Sequence, residues 1–283
     1  MGHRLLKIQT MNFIQKLEAQ WATSNSLLCV GLDPDLTRIP MHLQEHAEPI
    51  YQFCRAIVDA THDLVCAYKP QIAYFAGAAA EDQLQKLMEY IRLEYPHIPL
   101  VLDSKRGDIG STAAMYAKEA FDRYQAHAVT INPYMGRDSA QPFLDRADRG
   151  VVLLCRTSNP GAGDLQDLEI DGQPLYERLA TMITQDWNSN GNCSLVVGAT
   201  WPEQMRKLRE IAGDMPFLVP GVGAQGGDVE ALVKAGQTAN GTGLMVNSAR
   251  GIIYAGSGFD FMQHARNAAI ETRDLINQYR HHL

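Results

Sequence analysis

The stretch VLDSKRGDIGST, residues 101–112, places Asp103, Lys105, Arg106 and Asp108 within six positions, directly behind a run of apolar β-forming residues. Residues two apart on a strand point to the same side, so Asp103 and Lys105 share a face, whereas Asp108 falls beyond the strand in a turn made by Gly107 and Gly110. Asp33 and Lys69 close two earlier apolar runs, LLCVGLD and LVCAYKPQ. If those runs end at one rim, two lysines and up to three carboxylates surround a single opening. Opposite charges about 4 Å apart interact by roughly 4 kcal/mol at an effective dielectric near 20, so alternating Lys and Asp hold one another ionised. Such an array suits a reaction whose transition state carries charge where the substrate does not, with a lysine ammonium placed to donate a proton. A plainer use of the same residues is a helix start, with Asp108 or Ser111 capping STAAMYAKEAFDRY and Lys105 and Arg106 solvated.

A second group of residues suits an anion. VPGVGAQGGD contains G-x-G-x-x-G at Gly221, Gly223 and Gly226, after one apolar run and before a helical pattern. A dinucleotide site would also need an acid about 20 residues on, yet no Asp or Glu occurs from Ala231 to Phe259. Glycines that let the backbone approach an anion, with Arg250 following the last apolar run, fit a phosphate better. RTSNPGAG, residues 156–163, has turn chemistry on its own account.

These residues need elements to hold them. Short apolar, β-branched runs recur at 27–33, 64–71, 98–105, 126–133, 151–157, 194–200, 216–221 and 243–248, with helical spacing between them. Runs that are apolar throughout belong to strands covered on both faces, and strict βα alternation over about 250 residues predicts an α/β fold, a (β/α)8 TIM barrel. An open doubly wound sheet is the competing arrangement. No linker or composition break divides the chain, which predicts one domain over 1–283, with 1–20 a short N-terminal extension or helix and excursions at 33–47 and 159–173. In a barrel, the loops after the strands build the site. The strand ends read Asp33, Lys69, Asp103 with Lys105, Asn132, Thr157 with Ser158, Pro220 with Gly221, and Asn247, Ser248 and Arg250.

Composition narrows the partners. The net charge of −7 argues against a nucleic-acid or anionic-membrane surface. Five widely spaced cysteines without a C-x-x-C pair predict reduced, buried thiols. No run of about 18 apolar residues occurs and the basic opening is too short for a signal peptide, so a cytoplasmic protein is expected, with Met11 an alternative start. Nine scattered histidines and no H-E-x-x-H offer no metal site.

D-x-K-x-x-D after a third strand, a Lys ending the second and GLDPD ending the first closely resemble the orotidine 5′-phosphate decarboxylases. YKPQIAYF, LDSKRGDIGSTA, RTSNPGA, VPGVGAQGGD and VNSARGIIYA are similar to the wording of their longer bacterial subgroup, over about residues 27–256. The resemblance implies removal of the C6 carboxylate of orotidine 5′-phosphate as CO2, leaving UMP, in de novo pyrimidine biosynthesis and without metal or organic cofactor. It implies that Lys105 protonates C6, that Asp103 lies near the departing carboxylate, and that Lys69 and Asp108 hold Lys105. It places Asp33, with Lys69 and Thr112, on the ribose, Ser158 on the pyrimidine edge, and Pro220 in the substrate pocket. Gln225 and Arg250 take the phosphate, helped by the backbone at Gly251. It also implies a homodimer in which the loop carrying Asp108, Ile109 and Thr112 reaches the neighbour's site. Metal-dependent relatives sharing D-x-K-x-x-D, which act as sugar-phosphate decarboxylases or aldolases, and a non-catalytic phosphosugar-binding barrel are the alternatives.

Overall fold

The computed structural model describes residues 11–221 and 228–280. In chain order the strands are β1 (Leu28–Leu32), β2 (Ala67–Pro70), β3 (Val101–Arg106), β4 (Ala128–Ile131), β5 (Gly150–Arg156), β6 (Glu169–Ile170), β7 (Gln173–Pro174), β8 (Cys193–Val197), β9 (Phe217–Val219) and β10 (Leu244–Ser248). All but β6 and β7 lie in one parallel sheet, ordered β2-β1-β10-β9-β8-β5-β4-β3. The sheet closes between its outer strands through the parallel bridges Tyr68 to Leu100 and Gln71 to Asp103. The result is an eight-stranded (β/α)8 barrel, nearly continuous in its hydrogen bonding.

The uniformly apolar runs form these strands because both faces are covered: every residue of β1, β2, β4, β8, β9 and β10 is buried. Strand β3 departs from this, being buried through Asp103 and opening to solvent from Ser104 onward. The amino-terminal end of the barrel is sealed by the helix Phe13–Ser24, started by a capping box between Asn12 and Gln15. This helix extends four residues beyond the expected extension at 1–20, and residues 1–10 lie outside the described residues. Phe13 rests on the start of β5 so closely that a Cβ on Gly150 would sit 2.2 Å from its ring, and Trp21 Nε1 donates to the Leu244 carbonyl at 2.9 Å. A packed amino-terminal end leaves the opposite end for the site.

The excursion at 159–173 contains the hairpin of β6 and β7, turned by Asp171 and Gly172, both at positive φ. The other excursion, 33–47, is held by Tyr254. Its hydroxyl donates to the Asp33 carbonyl at 3.0 Å and accepts from the Asp35 amide at 2.6 Å. All five cysteines are free and buried, and burial pushes Cys29, for example, up to about 12.

Candidate active site

The carboxyl ends of the strands surround a cavity of about 470 Å³, lined by Asp33, Lys69, Asp103, Lys105, Ser158, Pro220 and Arg250 among the residues singled out in the sequence. Leu154, Val196 and Leu218 give it apolar wall. Four charges alternate along one side. Lys69 Nζ lies 2.9 Å from Asp103 Oδ2 and 3.8 Å from Asp33 Oδ1, and Lys105 Nζ lies 2.6 Å from Asp103 Oδ1. Lys69 and Asp103 are buried, while the Lys105 side chain remains 45% exposed at the mouth.

Burial raises the Asp103 carboxyl, but the ammonium groups of Lys69 and Lys105 outweigh it and hold the group well below the carboxylate range. Burial lowers Lys69, and Asp103 with Asp33 more than reverses this, keeping it charged. For Asp33 burial wins over Lys69, so its carboxyl is raised. The signs set a stability prediction. Asp103, depressed when folded, contributes stability above the ordinary carboxylate range and loses it as pH falls through its folded value. Lys69, raised when folded, contributes below the unfolded lysine value and loses it at still higher pH. Lys69→Met is expected to cost about 3–5 kcal/mol at pH 8 by stripping buried carboxylates of their partner. Burial then opposes only Lys105 at Asp103, both carboxyls rise, and the deficit shrinks by pH 4.5 as they take up protons. Urea unfolding at the two pH values checks this; an equal deficit at both would contradict it.

Lys105 reaches Asp103 by an irregular route. Its φ is +47°, and the β3–β4 register shifts between Leu102 and Arg106. Simple alternation along a strand therefore brings the right pair together without describing how they meet. A left-handed backbone at a non-glycine residue costs on the order of 1–2 kcal/mol and needs support. The supporting group is Thr130 on β4, absent from the sequence-based candidates because a threonine in a strand reads as an ordinary β-former.

Asp108, Ile109 and Thr112 do not line this cavity. The Asp108 carboxylate accepts the Ile109 amide at 2.8 Å, and Ile109 and Thr112 are exposed. The capping alternative is not realised: the helix Gly110–Lys118 has Ile109 at its N-cap and no side-chain cap. Arg106 forks onto Glu119 at 2.9 and 3.0 Å. Gly251 sits in the helix Arg250–Ile253, behind the exposed Arg250. Gln225, with Gly223, Gly226 and Gly227, lies outside the described residues.

Comparison with known proteins assigns the chain. Residues 26–258 match a family described as Orotidine 5′-phosphate decarboxylase / HUMPS. The chain belongs to this family. Orotidine 5′-phosphate decarboxylase of Azoarcus sp. (strain BH72) is 60% identical over 270 residues, covering 95% of this chain and 100% of that protein. That of Dechloromonas aromatica (strain RCB) is 61% identical with the same coverage. The solved OMP decarboxylase of Leishmania donovani is 39% identical, with a TM-score of 0.83 over 95% of this chain and 98% of that one.

On the decarboxylase-family barrel, further residues hold the site that the sequence left unmarked. Arg156, 1% exposed, lies over the Trp201 ring at 4.5 Å, and its guanidinium reaches Asp167 Oδ2 at 3.1 Å. Gln166 accepts the Thr157 amide at 2.8 Å and donates to its hydroxyl at 2.8 Å, tying the 159–173 excursion to the end of β5. Ser158 comes so close to β8 that a Cβ on Gly198 would meet its Cβ at 2.8 Å. An arginine ending an apolar strand in LLCRT was the available signal, since a buried charge needs partners.

Proposed function

We propose that this chain converts orotidine 5′-phosphate into UMP and CO2 without a cofactor, as a step of pyrimidine biosynthesis. The observation that carries the reading is the alternating Asp33–Lys69–Asp103–Lys105 array on one cavity wall, in a chain about 60% identical to decarboxylases over nearly its full length. Breaking the bond from C6 to the carboxylate leaves the electron pair on C6, a carbanion that the ring delocalises poorly. Lys105 is the fixed cation beside that charge and gives C6 its proton, and its exposed amine then recovers one from solvent. Asp103 stands beside the departing carboxylate, ionised and held by Lys69, so the site favours loss of the substrate's negative group over its retention.

The remaining roles follow the cavity. Asp33 and Lys69 take the ribose hydroxyls, a reading supported by a buried Asp33 Oδ1 that has no hydrogen-bond partner. Ser158 meets the pyrimidine edge and Pro220 borders it. Arg250 and Gln225 hold the phosphate with the Gly251 amide. Asp108, Ile109 and Thr112 serve the partner's cavity in a homodimer, consistent with their position outside their own. Positive charge between the two carboxylates is supplied by Lys69, where a metal-using relative needs free acidic ligands. No helix among the described residues is long and apolar enough to cross a membrane, and the cytoplasm is the proposed location.

Loss of orotidine 5′-phosphate absorbance on adding the purified protein in EDTA tests the reaction. Turnover is expected, and activity that needs added magnesium would point to the metal-dependent relatives instead. The same assay tests the phosphate grip. Arg250→Ala is expected to lower kcat/KM by about 3 kcal/mol, roughly 100-fold, because a truncated charge partner leaves the anion unpaired. The same variant should be indistinguishable from wild type on orotidine, which lacks the phosphate. An equal loss on both substrates would remove Arg250 from the phosphate site.

A further inference from the structure

Thr130 is fully buried on β4, and its hydroxyl oxygen is the meeting point of the third strand's irregular end. It accepts the Ser104 amide at 2.9 Å and the Lys105 amide at 2.9 Å, and it donates to Asp103 Oδ1 at 2.8 Å. The same Asp103 oxygen receives the Lys105 ammonium at 2.6 Å. A hydroxyl has one proton to give and two lone pairs to fill, and all are used. The proton must go to Asp103, since both amides can only donate. One oxygen thus bonds to both ends of the Asp103–Lys105 segment, and it does so where the β3–β4 register slips and Lys105 stands at positive φ.

We propose that Thr130 is a positioning residue for decarboxylation: its hydroxyl fixes the left-handed backbone of Lys105 and the orientation of Asp103, and so sets the proton donor against the carboxylate. The inference rests on the decarboxylase reading above. Among the described strand residues no other hydroxyl makes this combination of bonds. In regular pairing the consecutive Ser104 and Lys105 amides would point to opposite edges of β3, only one of them toward β4. At the slip both turn to the β4 side, and the one threonine hydroxyl accepts them together. Its donation to an oxygen already facing an ammonium also keeps that carboxylate oriented when the substrate's negative group arrives beside it.

Thr130→Val keeps shape and removes the hydroxyl. The expected result is a kcat lowered at least about 100-fold, the scale of a misplaced catalytic group, with UMP affinity changed less than about threefold because the phosphate and ribose contacts are untouched. Thr130→Ser, which restores the hydroxyl without the methyl, should return kcat to within about fivefold of wild type. Wild-type kcat in the valine variant would overturn the proposal, and so would equal losses in the valine and serine variants, which would make the methyl's packing the cause. Should the valine variant fail to fold, Thr130→Cys, whose sulfur is a weak acceptor of similar size, carries the same expectation. A crystal structure of the valine or cysteine variant decides the geometry without turnover: Lys105 should leave the positive-φ region or lose Asp103. If both features persist, the proposal falls even when the wild type is active. An inactive wild type with the geometric change present would overturn the decarboxylase reading alone.

Discussion

Lys105→Ala is expected to reduce UMP formation by at least ~10⁴-fold, the product of losing a positioned proton donor and a fixed charge beside the developing carbanion. The comparison is clean for three structural reasons. The Lys105 side chain is 45% exposed, so little packing is lost. Asp103 keeps Lys69 at 2.9 Å and the Thr130 hydroxyl at 2.8 Å, so the rest of the array stays ionised and in place. Alanine tolerates the positive φ at this position about as poorly as lysine does, so backbone strain hardly changes between the two. Thermal unfolding should therefore shift by no more than a few degrees and UMP should still bind, while turnover falls to background. Retention of more than about a tenth of wild-type kcat would assign C6 protonation to another group, and Lys69 is the nearest candidate.

Much of this site was legible because charge is scarce in a barrel. Eight apolar runs announced eight strands, and a lysine or aspartate ending such a run stands out against it. Asp33, Lys69, Asp103 and Lys105 were visible for that reason, and all four line the cavity. What stayed hidden is chemistry carried by residues whose other uses are commoner. Thr130 fits any strand by propensity, and only its three hydrogen bonds separate it from its neighbours. Tyr254 looks like an ordinary aromatic after the helix Arg250–Ile253, yet it fastens the loop beyond Asp33. The β6–β7 hairpin had its signal in Asp171-Gly172, but two-residue strands carry too little pattern to be seen. The turns of π-helix at Glu119–Arg123 and Ile183–Trp187 have no comparable local signature, since they depend on packing more than on residue type.

The helix-cap alternative for Asp108 shows the reverse error. A carboxylate before a helical pattern is an ordinary N-cap signal, but here the carboxylate turns back to the Ile109 amide and Ile109 occupies the cap position. Past β3 the chain passes Gly107, where a Cβ would sit 3.2 Å from the Asn132 carbonyl, and Gly110 at φ +53°, in a loop whose Asp108 and Ile109 do not line the cavity. Ile109, at 56% exposure, is an apolar residue left facing outward beside a charged one. In the proposed homodimer the second copy covers this loop.

The proposed shared site has a consequence that no single-chain arrangement can reproduce. Lys105→Ala and Asp108→Ala homodimers are each expected to be nearly inactive, the first through the missing donor and the second through loss of the carboxylate that holds that donor. Mixed in equal amounts and allowed to exchange subunits, half of all dimers become hybrids, by the statistics of random pairing in a two-fold assembly. In a hybrid one cavity combines both substitutions. The other combines Lys105 of the Asp108→Ala chain with Asp108 of the Lys105→Ala chain, and is intact. One intact cavity in half the dimers restores about a quarter of all sites, so the mixture should recover about a quarter of wild-type activity from two almost silent proteins. If Asp108 instead served its own chain, every cavity in the mixture would carry a substitution and activity would stay at background. The exchange itself can be followed by native mass spectrometry on chains of different mass, so that failure to form hybrids is distinguished from hybrids that remain inactive.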